Sequence, residues 1–254
     1  MVTIKKPQEI KVLKEGGRRL ARVMNELSKE IKPGISGDKL DKLAHSLILN
    51  YGGKPSFLHY KPDFTDSIFP SSLCISKNEV VVHGIPQKDL ILDEGDIVTL
   101  DLGMIYKGLY TDMAATFSVG KISPELKKMI KATKDALVCA IKVAVDGKTI
   151  GDIGYAIESC VKKAGFVVIR DLIGHGVGYG VHEDPEIFNY GTPNTGLKLK
   201  TGMVLAIEPM VTLKSGEIIQ RKDGSFATRN GMPAVHFEHT VAVMPKKAII
   251  LTKY

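Results

Sequence analysis

No run of about eighteen apolar residues occurs anywhere in the sequence, which excludes a membrane-spanning helix. The N-terminal stretch MVTIKKPQEIKVLKEGG lacks both the apolar core and the small-residue cleavage site of a secretory signal, so the cytoplasm is the expected compartment. Cysteine is scarce. Cys74, Cys139 and Cys160 are odd in number, far apart and form no C-x-x-C, which argues against a disulfide framework or a zinc knuckle; two of them are expected on helical core faces. Several catalytic signatures are also missing. His182-Glu183 is followed by Asp184-Pro185 rather than by a second helical histidine, Gly174, Gly176, Gly178 and Gly180 do not fit G-x-G-x-x-G, and neither a G-x-S-x-G elbow nor a Walker sequence is present. The net charge of +7 and pI near 9.1 would permit contact with a polyanion. Without an aromatic-interleaved basic motif, Lys5, Lys6, Lys11, Lys14, Arg18, Arg19 and Arg22 read as a solvated helix face.

What is present is an ordinary globular composition, 44% apolar and 25% charged, sufficient for a sizeable core. Apolar residues recur with helical period from Pro7 to about Ile31, ended by Pro33-Gly34, and again from about Asp38 to Asn50, stopped by Gly52-Gly53. Strand-like runs follow at Cys74 to Ser76, Glu79 to His83, Ile97 to Ile105 and Leu109 to Val119. The second half repeats the order. Ser123 can cap a helix with Pro124 in its first turn, running to about Val145; a further helix covers roughly Asp152 to Lys163, and Phe166 to Arg170 reads as a strand. LDEGDIVTLD (92–101) matches LKTGMVLAIE (199–208), DMAATFSV (112–119) matches EHTVAVMP (238–245), and HGIP at His83 matches HEDP at His182. The expectation is one α+β domain over 1–254, built from half-repeats of about 1–121 and 122–254 with pseudo-two-fold symmetry.

Acids stand where a core is expected. A two-residue turn at Lys107-Gly108 sets Asp101 opposite Ala114 and Asp112 opposite Gly103. The two aspartates then share one face as diagonal neighbours, with α-carbons roughly 7–8 Å apart. Asp101 and Glu208 each sit among apolar strand residues, where an unpaired carboxylate is costly and a neighbouring one raises the cost. Lys and Arg are nearly absent from these strands, so divalent metal ions are the better counter-charge. His83, His175 and His182 are the available imidazoles, the last two in what read as glycine-bounded turns with room for a ligand.

NEVVVHGIP, DIVTLDLGMIYKGLYTD, GHGVGYGVHEDP, AIEPM and FEHT occur in the order and approximate spacing of the type I methionine aminopeptidases, which the chain resembles over essentially its whole length. The resemblance implies the pita-bread fold, an antiparallel sheet flanked by helices. It implies that Asp101, Asp112, His175, Glu208 and Glu238 bind two divalent ions (Co, Mn, Fe or Zn), with Asp112 and Glu238 bridging, Asp101 completing one site and His175 with Glu208 the other. It further implies a metal-bridged hydroxide with Glu208 as general base, His83 and His182 facing the substrate, and Tyr60, Phe69 and Cys74 lining the methionine pocket. The implied activity is removal of the initiator methionine from the N-termini of nascent polypeptides, preferentially before a small second residue. The expected agent is a cytoplasmic monomer with no membrane partner; a transient ribosome contact through its basic surface is expected on charge alone.

Departures from the family cluster around that pocket. Phe57 stands where many bacterial relatives have Cys, Val181 where an aromatic is common and Ser225 where Trp is frequent, and residues 61–66 (KPDFTD) read as an insertion. Two other readings compete. A proline-specific peptidase of the same fold would carry an additional N-terminal domain, for which the first metal-site strand, starting near residue 97, leaves no space. A catalytically dead module binding ribosomal RNA would be marked by a missing ligand acid, and all five ligand positions are filled.

Overall fold

The computed structural model describes residues 1–61 and 68–253. Among these residues four helices form: α1 (Pro7–Lys29), α2 (Gly37–Asn50), α3 (Pro124–Val143) and α4 (Ile150–Lys163). Each starts where its local chemistry allows. Pro7 and Pro124 occupy first-turn positions that need no N–H, the Ser123 hydroxyl accepts from Leu126 N, and Thr149 and Asp152 close a reciprocal capping box. Among the expected strands, 79–83 contracts to Val80–Val82 because His83 turns into the left-handed region (φ 60°), and 166–170 contracts to Val167–Val168.

The hairpin Ile97–Tyr106 and Leu109–Ser118 follows the expected register residue for residue. Lys107 and Gly108 both take positive φ, Tyr106 faces Leu109, Asp101 faces Ala114 and Gly103 faces Asp112. Strand alternation then sorts the side chains. Val98, Leu100, Leu102 and Met113 point into a core with Leu20, Val23, Leu27, Leu40 and Ile48 of α1 and α2, while Thr99, Asp101, Asp112 and Thr116 take the opposite face. The second half is built likewise. In a five-stranded sheet, Leu205 and Ile207 of the strand Val204–Ile207 and Val241 of His239–Ala242 pack under Met129 and Ala136 of α3 and Ile153 and Ile157 of α4. Glu208 and Thr240 lie in the opposite phase of the alternation.

The two acid-bearing faces meet along a seam stitched by two threonines. Thr240 Oγ1 accepts from Asp112 N (2.8 Å) and donates to Asp112 O (2.7 Å), and Thr116 Oγ1 does the same for His236 N and O at 2.9 Å each. Between them Glu238 N donates to Ala114 O at 2.9 Å. These bonds occupy backbone groups at the edges of separate sheets, which would otherwise be buried without partners.

Two expectations need correction. Lys5 does not belong to the solvated basic face: it is 2% exposed and paired with Glu183. Cys139 on α3 and Cys160 on α4 are only half-buried, and their sulfurs lie 2.9 Å apart, because α3 and α4 pack antiparallel and bring distant positions to one level. No helix among the described residues is long and apolar enough to cross a membrane. The insertion at 61–66 lies, apart from Lys61, outside the described residues.

Replacing either seam threonine by valine, at nearly constant volume, strands two buried backbone groups. Thr240→Val and Thr116→Val are each expected to lower the unfolding free energy of the metal-free protein by about 1–3 kcal/mol, read from urea unfolding midpoints.

Candidate metal centre

Five elements deliver acids and imidazoles to the space between the two sheets. Asp101 and Asp112 come from the hairpin, Glu208 follows Val204–Ile207, and Glu238 lies between Ala234–His236 and His239–Ala242. His175 corrects the turn expectation: it stands on a short strand, Ile173–Gly176, whose neighbours are Glu183–Phe188 and Val204–Ile207. The glycines beside it explain the misreading. A Cβ on Gly174 would collide with Ala206 O and one on Gly176 with Asp184 O, so the glycines serve close strand approach rather than a turn.

Asp112, His175 and Glu238 each present a ligand atom within 4.8 Å of the others. His175 Nδ1–H donates to Gly176 O at 2.9 Å, which leaves the Nε2 lone pair free and 3.5 Å from Glu208 Oε1. Asp101 joins from the hairpin face it shares with Asp112. Asp101 Oδ1, Asp112 Oδ1 and Glu238 Oε1 are buried without hydrogen-bond partners, and no Lys or Arg among the described residues pairs with any of these acids. Burial, reinforced by the neighbouring carboxylates, pushes Asp101 and Glu238 well above the ordinary carboxyl range and Asp112 up to about 7; burial does the same to Glu208. The histidines are driven the other way. Burial, with the neighbouring His182, lowers His175 to about 3 and His83 to about 4, which keeps both imidazoles neutral. A cluster of oxygen donors and one neutral imidazole, with no cationic side chain paired to its acids, fits divalent metal ions.

His182 and His83 flank the cluster. The His182 ring meets that of His175 edge-on with centroids 4.5 Å apart, and its Nδ1 is 2.8 Å from the Tyr60 hydroxyl. His83 is held edge-on to Phe226 at 5.8 Å. Tyr60, Phe69 and Cys74 come together in one apolar cluster, joined by Phe57, Val181 and Tyr110; Ser225 is not part of it and bonds Asp223. One buried group escaped sequence reasoning. His236 is 2% exposed with Nε2 3.2 Å from Glu208 Oε2, out of hydrogen-bond alignment. The only signal in the sequence is proximity, since His236 ends the strand Ala234–His236 two residues before Glu238.

With this geometry in place, comparison with known proteins decides the family. Residues 11–245 match metallopeptidase family M24. The chain belongs to that family. It is 42% identical to a methionine aminopeptidase of Clostridium acetobutylicum over 99% of both chains, and 41% identical to methionine aminopeptidase 1 of Bacillus subtilis over 100% of both. A crystal structure of methionine aminopeptidase from Thermotoga maritima superposes with a TM-score of 0.95 at 40% identity, covering all of both chains. A prolidase from Pyrococcus furiosus shares the fold at a TM-score of 0.79, with 23% identity and 65% of its length covered. The architecture is therefore the pita-bread fold of the M24 metallopeptidases.

For an M24 metal centre built from protonated carboxyls, loading must release protons. The affinity for Mn²⁺ is expected to fall by at least about tenfold per pH unit below the Asp112 value of about 7, because each ion must displace at least one proton. Calorimetric titrations between pH 5.5 and 8 in buffers of different ionisation heat check both the slope and the proton count.

Proposed function

We propose that this chain hydrolytically removes N-terminal methionine from nascent polypeptides, preferring a small second residue. The observation that carries this reading is the buried acid-and-imidazole cluster in a chain about 40% identical, end to end, to several methionine aminopeptidases. Asp112 and Glu238 would bridge two ions, Asp101 would complete one site, and His175 with Glu208 the other. Any of Mn, Co, Fe or Zn suits these donors. When bound, the ions supply Lewis-acid polarisation of water and of the scissile carbonyl.

The remaining work falls to protein groups. Glu208 takes a proton from the attacking water and returns it to the departing amine. With the Tyr60 hydroxyl donating to Nδ1 of His182, the His182 Nε2–H is left to donate to the carbonyl oxygen as negative charge develops there. His83, kept neutral by burial, faces the scissile amide from the other side. The cluster of Phe57, Tyr60, Phe69, Cys74, Val181 and Tyr110 encloses the methionine side chain. The exposed Lys11, Lys14 and Arg18 on α1 supply the basic face for a transient ribosome contact by a cytoplasmic monomer.

Purified protein with Mn²⁺ or Co²⁺ should release methionine from Met-Ala-Ser and leave Ala-Pro-Ala intact. Cleavage of the second peptide alone would transfer the chain to the proline-specific group, and cleavage of neither would favour a binding module. Glu208→Gln is expected to lower kcat by about 10²–10⁴-fold. Asp112→Asn should lose methionine release and metal retention together; a fully active Asp112→Asn protein refutes the two-ion scheme. Charge-neutralising changes at Lys11, Lys14 and Arg18 should weaken co-sedimentation with ribosomes.

A further inference from the structure

The turn that presents His182 is held from behind by the N-terminal arm. Lys5 is the one buried Lys or Arg among the described residues, and its Nζ lies 2.6 Å from Glu183 Oε2, beside the Thr3 hydroxyl. Its backbone N–H donates to Gly202 O at 2.8 Å, which ties the arm to the segment leading into the Glu208 strand. Its side chain passes over Gly178, where an added Cβ would collide with Lys5 Cε. The other oxygen of the same carboxylate, Glu183 Oε1, accepts from the backbone N–H of Gly180 (3.0 Å) and of Tyr179. Below the ammonium the Tyr179 ring sits at 4.9 Å, and its hydroxyl donates to Glu9 of α1 at 2.9 Å. One carboxylate thus gathers the arm and two amides of the turn, and His182 is its chain neighbour.

We propose that the buried Lys5–Glu183 pair is a positioning device for His182, an inference that rests on the substrate-facing role assigned to that histidine above. Loss of the lysine leaves Glu183 with an uncompensated charge in a site largely closed to water, and the carboxylate swings out to solvent. The turn amides then lose their acceptor and the His182 imidazole leaves its place between Tyr60 and the scissile carbonyl. The metal ligands are spared. Asp101, Asp112, Glu208 and Glu238 come from other segments, and His175 pairs with Ala206 of Val204–Ile207, while its neighbours Gly174 and Gly176 pair with Ile187 and Glu183 through backbone that a side-chain change leaves in place.

The test uses the full chain with Lys5→Met, Glu183→Gln and the double variant. Lys5→Met should lower kcat for Met-Ala-Ser by about 10–100-fold, the scale of an ångström-sized misplacement, with KM and Mn²⁺ affinity each changed by less than about threefold. Amide exchange at Tyr179 and Gly180 should quicken by about tenfold or more. In the double variant both charges are gone and the carbonyl of the introduced glutamine can still accept from the turn, so kcat should return to within about fivefold of wild type. Should Lys5→Met fail to fold, the double variant and Glu183→Gln still carry the comparison. Wild-type kcat and exchange in Lys5→Met, a double variant no better than the single one, or parallel loss of kcat and Mn²⁺ affinity would each overturn the proposal. Absence of methionine release by the wild-type protein would instead strike the functional reading, while the exchange and Mn²⁺ measurements would still decide whether the pair holds the turn.

Discussion

Mutual repulsion among carboxylates shut away from water is the constraint on which the rest of this structure depends. Asp101, Asp112, Glu208 and Glu238 converge between two sheets where no Lys or Arg among the described residues reaches them, and three of their oxygens have no hydrogen-bond partner. In water such acids would separate. Here each is fixed by a strand whose opposite face is locked into a helix-covered core, so the acids cannot move apart without dragging apolar side chains out of α1–α2 or α3–α4 packing. The unfavourable charge is relieved by protons in the metal-free protein and would be relieved by cations in the loaded one. That exchange is the physical basis of a metallopeptidase site.

Convergence requires that two separately formed cores be docked in one register. The seam does this with side chains rather than a sheet ladder: Thr240 and Thr116 each take one N–H and one C=O from the strand opposite. A threonine hydroxyl suits the task because it accepts and donates at once, and its β-branched carbon fits a strand. Pairing within the five-stranded sheet sets His175 beside Glu208, and the His182 ring lies edge-on to that of His175. Prolidases share this framework at low identity, so the fold by itself does not select a substrate. Around the cluster, Phe57 and Val181 join the same apolar patch as Tyr60, Phe69 and Cys74.

Legibility followed distance along the chain. Asp101 and Asp112 could be placed on one face because a two-residue turn separates their strands and parity does the rest. Glu208 and Glu238 were reached only through the internal repeat, since nothing local says that their strands approach the hairpin. His175 was found but misplaced, as glycine spacing alone does not distinguish a turn from a strand squeezed between close neighbours. His236 was missed outright, because it ends a strand two residues before Glu238 and only the fold turns its ring toward Glu208. Lys5 looked like one more basic residue of a solvated helix, and Cys139 and Cys160 like strangers; in each case the partner lies across a tertiary contact that no local pattern encodes.

Read alone, the sequence determined the helices, the hairpin register and the set of acids and imidazoles, because caps, turn residues and alternation act within a few positions of one another. Only the tertiary structure decided which of those groups share a cavity, which lysine is buried and which carboxylate it pairs with. Those outcomes depend on how two halves pack, and packing is settled by many weak contacts between residues remote in sequence.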